Sequence, residues 1–214
     1  MNPKELAAQL RKPEGQQGIE TGKSMNDGNK YMYSFTYSLL NLRDPDTILE
    51  IGFGNGKFIQ DLLSVNKCQY SGIDFSETMV KEAIDLNQEL IRQERAEIQK
   101  ANLSSIPYPD EKFDKVFTIN TLYFWKNPRK DILEISRVLK TGGKLFITIR
   151  PKSIVQHLEF TKHGFTLYEA DDVKALMESG GFSDINWKLN EEPEFEIQGQ
   201  KVKLKGLCVF GTKK

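Results

Sequence analysis

The stretch that decides the predicted fold is Ile48-Leu49-Glu50-Ile51-Gly52-Phe53-Gly54-Asn55-Gly56-Lys57. It passes from an apolar run into a loop with glycine at every second position, and a helical pattern follows. In a strand-loop-helix turn of this kind, glycines let the backbone approach a bound group, and the helix N-terminus favours a negative group. The stretch therefore predicts a binding site for a ligand of the nucleotide or amino-acid type.

The spacing of the glycines separates this loop from two other nucleotide-binding loops. A phosphate-binding loop of the GxxxxGK[ST] type would need glycine at Ile51 and a hydroxyl residue at Phe58. A dinucleotide-binding loop would have the spacing GxGxxG, whereas this chain has GxGxG followed by Lys57. The first pattern fits poorly, and the second, which would bind NAD, stays as a weaker alternative.

Around this stretch, short β-branched or aromatic runs alternate with segments of helical periodicity, which predicts a parallel sheet with helices on both faces. Two further runs near the C-terminus, joined by an acidic segment at residues 191–200, predict an antiparallel hairpin that closes the sheet. The fold class is therefore α/β, a doubly wound, seven-stranded, mostly parallel sheet with an antiparallel C-terminal hairpin. The predicted strands are residues 47–51, 69–73, 96–101, 113–119, 144–149, 181–190 and 201–211, and the predicted helices are residues 57–65, 77–92, 128–139 and 171–179.

The N-terminal part of the chain has its own pattern. Residues 26–42 are rich in aromatic side chains and predict a helix that packs over one end of the sheet. Residues 1–23 contain several glycines and predict a looser segment that acts as a lid or a mobile arm. We therefore divide the chain into an N-terminal helical arm or lid, residues 1–43, and a main domain, residues 44–214.

Composition narrows the possible functions. The 214 residues include 30 Lys and Arg against 30 Asp and Glu, and a net charge of zero argues against binding nucleic acid mainly through its phosphates. Cys68 and Cys208 lie far apart without a CxxC motif, so we expect no metal site and no disulfide framework. No segment approaches the roughly 20 apolar residues that cross a bilayer, and the charged N-terminus lacks the apolar core of a signal peptide. We therefore expect a cytoplasmic protein without a membrane span.

Several motifs, in order and at the right spacing, resemble the class I S-adenosylmethionine-dependent methyltransferases, in particular their small-molecule branch of types 11 and 25. The resemblance covers residues 31–211 and implies a Rossmann-like sheet, S-adenosylmethionine as the cofactor and methyl transfer as the reaction. It rests on an acid before the GxGxG loop and a second acid 22 residues after Gly52. Residues 102–116 are similar to the stretch that precedes the family's fourth strand. Residues 139–145 match the family's Leu-Lys-Pro-Gly-Gly turn, except that Thr141 replaces proline.

The resemblance also implies roles for single residues. Asp74 is expected to accept hydrogen bonds from the ribose hydroxyls, and Glu50 to orient the glycine loop and the methionine end of the cofactor. Asn102 stands where the family has an acid, and its amide oxygen is expected to accept from the adenine amino group, while Leu103 offers its backbone N–H. The full set of expected cofactor-binding residues is Glu50, Gly52, Gly54, Gly56, Asp74, Phe75, Asn102, Leu103 and Asn120.

Residues for catalysis and for the acceptor pocket follow from position. Tyr123, His157 and His163 come after the fourth and fifth predicted strands, where open parallel sheets bind ligands, so each is a candidate general base. A surface position or a local hydrogen bond is the alternative explanation for each histidine. Seven aromatic residues near these segments could enclose a small acceptor, and they could equally belong to the core. They are Tyr31, Tyr33, Phe35, Tyr37, Phe160, Phe165 and Tyr168.

The function expected from these observations is S-adenosylmethionine-dependent transfer of a methyl group to an oxygen, carbon or nitrogen nucleophile of a small molecule. Two alternatives stay open: a binding module that holds S-adenosylmethionine without catalysis, and an NAD-dependent oxidoreductase on a similar sheet. A methyltransferase of nucleic acid or protein is less favoured, because the net charge is zero and no added recognition domain is visible.

Overall fold

The computed structural model describes residues 1–65, 67–197 and 200–214. The helices are α1 (Pro3–Arg11), α2 (Gly15–Leu40), α3 (Ile59–Ser64), α4 (Glu77–Leu86), α5 (Gln88–Arg92), α6 (Pro128–Val138), α7 (Lys152–Val155) and α8 (Ala170–Ser179). The strands are β1 (Thr47–Ile51), β2 (Gln69–Asp74), β3 (Ala96–Lys100), β4 (Phe113–Ile119), β5 (Leu139–Ile149), β6 (Phe182–Glu191), β7 (Phe195–Ile197), β8 (Gln200–Val202) and β9 (Lys205–Lys213). Short 3-10 turns lie at Leu122–Phe124 and Glu159–Lys162.

The main sheet has seven strands in the order β3-β2-β1-β4-β5-β9-β6. The pairs among β1 to β5 are parallel, and β9 runs antiparallel to both β5 and β6. The predicted Rossmann-like α/β sheet with an antiparallel C-terminal hairpin is therefore confirmed. β7 and β8 pair with each other outside this sheet. Residues 191–200, for which the sequence predicts only an acidic connection, therefore contain part of a small two-stranded ribbon. The last predicted strand accordingly starts at Lys205 rather than at residue 201.

Apolar helix faces cover both sides of the sheet. On one side, α2 and α3 place Met32, Leu40 and Ile59 against the strand residues Ile48 and Phe117, all of them buried. The other side has a second buried cluster from α6, α8 and the strands that face them, with Ile132, Ile135, Val173, Met177, Leu145 and Ile147 among its members. Burial on both faces explains why the parallel strands read as nearly continuous apolar runs in the sequence.

The N-terminal segment differs from the prediction, because residues 3–11 and 15–23 belong to α1 and α2 and are not loose. A Cβ atom at Gly18 would lie 2.6 Å from the carbonyl carbon of Pro13. A Cβ atom at Gly22 would lie 3.0 Å from the side chain of Met79 on α4. These two glycines therefore let α2 pack closely against its neighbours, and they do not mark a flexible arm.

Two other boundaries also differ from the prediction. The expected helix over residues 77–92 is divided at Asn87, whose buried side chain donates from Nδ2 to the carbonyl oxygens of Gly56, at 3.0 Å, and Ala83, at 2.8 Å. β5 begins at Leu139 rather than at residue 144, directly after α6. Within the described ranges, no helix has both the length and the apolar character needed to cross a membrane.

Candidate functional site

A cavity of about 550 Å³ lies where β1, β2, β3 and β4 end. Its floor is formed by residues at or just after the ends of these strands, including Gly52, Asp74, Asn102 and Asn120. The order of the strands reverses between β1 and β4, and open parallel sheets bind ligands at such a switch point. The structure therefore brings the residues expected to bind the cofactor to a single edge of the sheet, although Glu50 and Gly56 do not line the cavity.

The glycine loop forms the centre of this floor. Gly52 has φ of +77°, and a Cβ atom there would lie 2.4 Å from Cγ2 of Thr121, so both the backbone conformation and the space require glycine. Gly54 also lines the cavity. Gly56, the third glycine of the expected set, is not among the described residues that line the cavity, and it packs against α4, where a Cβ atom would lie 2.7 Å from that of Ala83. The third glycine thus fixes the distance between the loop and α4.

Asp74 lies in the cavity wall at the end of β2 and is 8% exposed. Its carboxylate accepts hydrogen bonds from the backbone N–H of Ser76 at 2.8 Å and of Gly54 at 3.1 Å. Burial raises the pKa of Asp74 to about 6, and the backbone donors act in the opposite direction. Phe75 lines the cavity beside it. Asp74 therefore joins β2 to the glycine loop and keeps a carboxylate at the cavity surface.

Glu50 is 1% exposed and lies behind the cavity wall. The hydroxyl of Tyr33 donates to its Oε1 at 2.8 Å, and that of Tyr70 donates to its Oε2 at 2.7 Å. Burial raises the pKa of Glu50 to about 7, against the lowering effect of these two hydroxyl donors. Tyr33 itself lines the cavity. Among the described contacts Glu50 is thus held by α2 and β2 and not by amides of the glycine loop, so the orienting role expected for it would act through Tyr33.

The turn after β3 contributes residues 101–104 to the cavity wall, including the expected Asn102 and Leu103. The amide oxygen of Asn102 accepts from both the backbone N–H and the hydroxyl of Ser104, each at 3.1 Å. This oxygen is therefore already engaged within its own turn. The expectation that it accepts from adenine must compete with those two donors.

Asn120 follows β4 and lines the cavity with a left-handed backbone, φ of +58°. Its Nδ2 donates to Oδ1 of Asn29 on α2 at 2.9 Å. Its Oδ1 accepts from the hydroxyl of Tyr123 at 3.1 Å. Asn120 is therefore held from two sides and links β4 to the N-terminal helix.

The candidate bases do not reach the cavity. Tyr123 is 6% exposed and lies beneath the wall, where its hydroxyl also accepts from the backbone N–H of Arg150. Burial raises the pKa of Tyr123 well above its ordinary value, which does not suit a base. His157 and His163 are exposed side chains that lie outside the cavity lining. The position of these residues after strands β4 and β5 is therefore not enough to make them catalytic.

The expected aromatic pocket is mostly core. Of the seven aromatic residues proposed from the sequence, Tyr33 alone is among the described residues that line the cavity. Phe160 and Phe165 pack against each other, with ring centroids 5.6 Å apart. Phe124, which the sequence reasoning did not assign to the site, lines the cavity and packs against Phe165 at 4.6 Å.

Sequence reasoning also missed the roof of the cavity. Leu10 and Pro13 reach it from α1 and the turn that follows, and Met25 reaches it from α2. Trp125 and Asp131 complete the wall beyond β4. No local motif marks these residues, because they come to the cavity only through contacts between elements that are distant in the sequence.

Comparisons with known proteins agree with this geometry. A family model described as a methyltransferase domain matches residues 49–147. The chain is 32% identical over 178 residues to the uncharacterized methyltransferase YdaC of Bacillus subtilis, and this alignment covers 82% of this chain and 93% of that protein. It is 33% identical over 107 residues to the 27-O-demethylrifamycin SV methyltransferase of Amycolatopsis mediterranei, and this alignment covers 50% of this chain and 39% of that protein.

A solved structure has a similar fold. Phosphoethanolamine N-methyltransferase 2 of Haemonchus contortus, in complex with S-adenosyl-L-methionine, has a TM-score of 0.68 and 16% identity, and the match covers 86% of this chain and 52% of that chain. The prediction of an S-adenosylmethionine-dependent enzyme is thus confirmed at the level of the family. This chain belongs to the class I S-adenosylmethionine-dependent methyltransferases.

Proposed function

We propose that this methyltransferase transfers a methyl group from S-adenosylmethionine to a small molecule that is enclosed in the same cavity. The observation that carries the proposal is one cavity of about 550 Å³, lined both by the glycine loop with Asp74 and by Met25, Asn29 and Trp125. Small-molecule sites in proteins have volumes of about 300–1,000 Å³. The cavity therefore suits small ligands better than a polymer chain.

The residues of the floor fit S-adenosylmethionine, which supplies, when bound, a methyl group carried on a positively charged sulfur. At Gly52 the loop backbone lines the cavity without a side chain, and a Cβ atom there would lie 2.4 Å from Cγ2 of Thr121. The carboxylate of Asp74 is available at the wall to accept from the ribose hydroxyls. The backbone N–H of Leu103 is the donor that we assign to the adenine ring.

For the transfer itself, the chain has to align the acceptor with the methyl group and exclude water. The described residues that line the cavity include neither histidine nor cysteine. Phe124 and Trp125 offer apolar surface, while Asn26 and Asn29 offer amides that orient a polar group of the acceptor. Such a wall aligns an acceptor, but among the described residues it offers no imidazole or thiol as a base.

We also propose that residues 1–43 act as the lid of this cavity. Leu10 and Pro13 lie over it, and the hydroxyl of Ser76 donates to the carbonyl oxygen of Pro13. Ser76 also caps the N-terminus of α4, two residues after Asp74. The lid is therefore attached to the element that begins next to the ribose-binding carboxylate.

A small acceptor is favoured over nucleic acid for two reasons. The chain has a net charge of zero, and a covered cavity leaves little room for a polymer. Two of the similar proteins are named for small molecules, a demethylrifamycin and phosphoethanolamine. A module that binds S-adenosylmethionine without catalysis would share this floor but would release no S-adenosylhomocysteine.

The test is the release of S-adenosylhomocysteine by the purified chain in the presence of S-adenosylmethionine and pooled acceptors. Separate pools contain small aromatic alcohols, amines, thiols, transfer RNA and unfolded protein. We expect release above background with at least one small-molecule pool, and loss of that release in the Asp74→Ala variant. Release with RNA or protein alone would contradict the proposed acceptor class, and no release from any pool would favour the non-catalytic module.

A further inference from the structure

We propose that Asp131 accepts a hydrogen bond from the exocyclic amino group of the bound adenine and so replaces the acid that is missing after β3. The inference rests on the proposed function, since it concerns the adenine end of the same cavity. It assigns a cofactor-positioning role to a residue that no motif identifies.

The position of Asp131 is the first observation. Asp131 lies in the first turn of α6, the helix that follows β4, and therefore at the edge of the sheet where the cavity lies. It is 5% exposed, yet it forms part of the cavity wall. Asp131 therefore has part of its small exposed surface in the cavity.

The hydrogen bonding of Asp131 is the second observation. Among the described residues, its carboxylate accepts only one hydrogen bond, from the backbone N–H of Asn127 at 3.3 Å, and this bond involves Oδ2. A carboxylate has about four acceptor positions, and a buried one without donors is costly. Burial raises the pKa of Asp131, against the lowering effect of the Asn127 N–H. Oδ1 is therefore an acceptor for which the chain offers no donor in the described contacts.

The neighbours of α6 indicate which end of the cavity Asp131 faces. Glu134, three residues later on the same helix face, accepts from the backbone N–H of Ile106 at 2.8 Å. Arg137, one further turn along, donates to the carbonyl oxygen of Ile106 at 3.0 Å. This face of α6 thus packs along the segment that follows β3. Asp131, one turn earlier on α6, and the turn 101–104, which we assign to adenine, both line the cavity.

Asn102 is the residue that the sequence favours for the same role. Its amide oxygen already accepts from the N–H and the hydroxyl of Ser104. A carboxylate with unused acceptor positions binds an amino group more strongly than an amide oxygen shared between two donors. The acid expected after β3 is therefore supplied from the start of α6.

The test uses two ligands, S-adenosylhomocysteine and its 6-deamino analogue, in which hydrogen replaces the exocyclic amino group. Calorimetric titration of the full chain gives the affinity ratio of the two ligands. We expect the wild type to prefer S-adenosylhomocysteine by about tenfold or more, as for a hydrogen bond to a charged group. Asp131→Leu should reduce that preference to about twofold, and Asp131→Asn, which keeps an acceptor oxygen, should retain part of it.

Asn102→Ala is the matched variant, and it should keep the wild-type preference. If Asp131→Leu keeps the preference and Asn102→Ala loses it, Asn102 is the acceptor and the inference is wrong. A purely structural role of Asp131 would weaken both ligands equally and leave the ratio unchanged, which would also overturn it. Failure of the wild type to bind S-adenosylhomocysteine would instead refute the proposed function on which the inference depends.

Discussion

At the scale of single residues, the most unusual group is the carboxylate of Glu50. It is 1% exposed, and its described partners are the hydroxyls of Tyr33 and Tyr70 rather than a cation. Hydroxyl donors offset only part of the cost of removing a carboxylate from water. The folded protein therefore holds a proton on Glu50 more tightly than the unfolded chain does.

This property predicts a pH dependence of stability. The pKa of Glu50 is about 7 in the folded protein against an ordinary 4.5, so the free energy of unfolding should fall as pH rises from about 4.5 to about 7 and then level off. Asp74, with a pKa of about 6 against 3.8, contributes in the same direction over a lower range. We expect Glu50→Gln to reduce this fall in the free energy of unfolding by on the order of a few kcal/mol.

Urea unfolding at about pH 5 and about pH 8 measures the effect. Glu178→Gln, a change of the same type on the exposed surface of α8, serves as the control and should leave the pH dependence as in the wild type. If the free energy of unfolding of Glu50→Gln falls between the two pH values as much as that of the wild type, Glu50 titrates at its ordinary pKa in the folded state.

Asp74 carries the second prediction at this scale. Asp74→Ala should weaken S-adenosylhomocysteine binding by about tenfold to a hundredfold, because a charged acceptor for the ribose hydroxyls is lost. Circular dichroism should show that the fold is kept. Asp85→Ala, an exposed aspartate on the adjacent helix α4, is the matched control and should bind as the wild type does. Wild-type affinity in a folded Asp74→Ala protein would remove Asp74 from the site.

At the scale of elements, the sequence predicts the parts that are formed by local patterns. β1 and β4 have the predicted bounds, because buried parallel strands are short continuous apolar runs. The N-terminal helices show where such patterns fail. Gly18 and Gly22 are typical of a loose segment, but in the structure they are contact points for Pro13 and Met79, and only the three-dimensional packing distinguishes the two cases.

This packing predicts opposite effects for two glycines of one helix. Gly18→Ala should lower the free energy of unfolding by about 1–3 kcal/mol, because the new methyl group would overlap the backbone of Pro13. Gly28→Ala should raise it by up to about 1 kcal/mol, since a Cβ atom there has nothing within 4 Å and alanine is the better helix former. Urea unfolding of both variants gives the comparison. Equal effects of the two changes would contradict the close contact.

The same distinction explains how much of the site could be predicted. Gly52, Asp74 and the turn after β3 are recognisable because each lies at, or directly after, the end of a strand that a sequence motif identifies. Trp125 and Asp131 are not recognisable from the sequence, because they reach the cavity only through the packing of one element against another. Tyr123 has the right position in the sequence, but its side chain turns beneath the wall to Arg150.

At the scale of the whole molecule, the N-terminal helices are integrated with the sheet. The hydroxyls of Thr36 on α2 and Thr148 on β5 lie 2.8 Å apart, and Asn29 on α2 accepts from Asn120 after β4. These bonds connect α2 to β5 and to the residue that follows β4 in the cavity floor. We therefore infer that residues 1–43 serve as wall and lid of the methyltransferase domain.

The measurement that tests the central claim most directly is a calorimetric titration of the ligand-free chain with S-adenosylmethionine, S-adenosylhomocysteine and NAD in separate runs. The cavity described here predicts saturable binding of the first two ligands at one site and no binding of NAD. Binding of NAD alone would contradict the account, because the glycine loop and Asp74 would then serve a dinucleotide and an oxidoreductase. Absence of binding by all three ligands would equally contradict a functional S-adenosylmethionine site in this cavity.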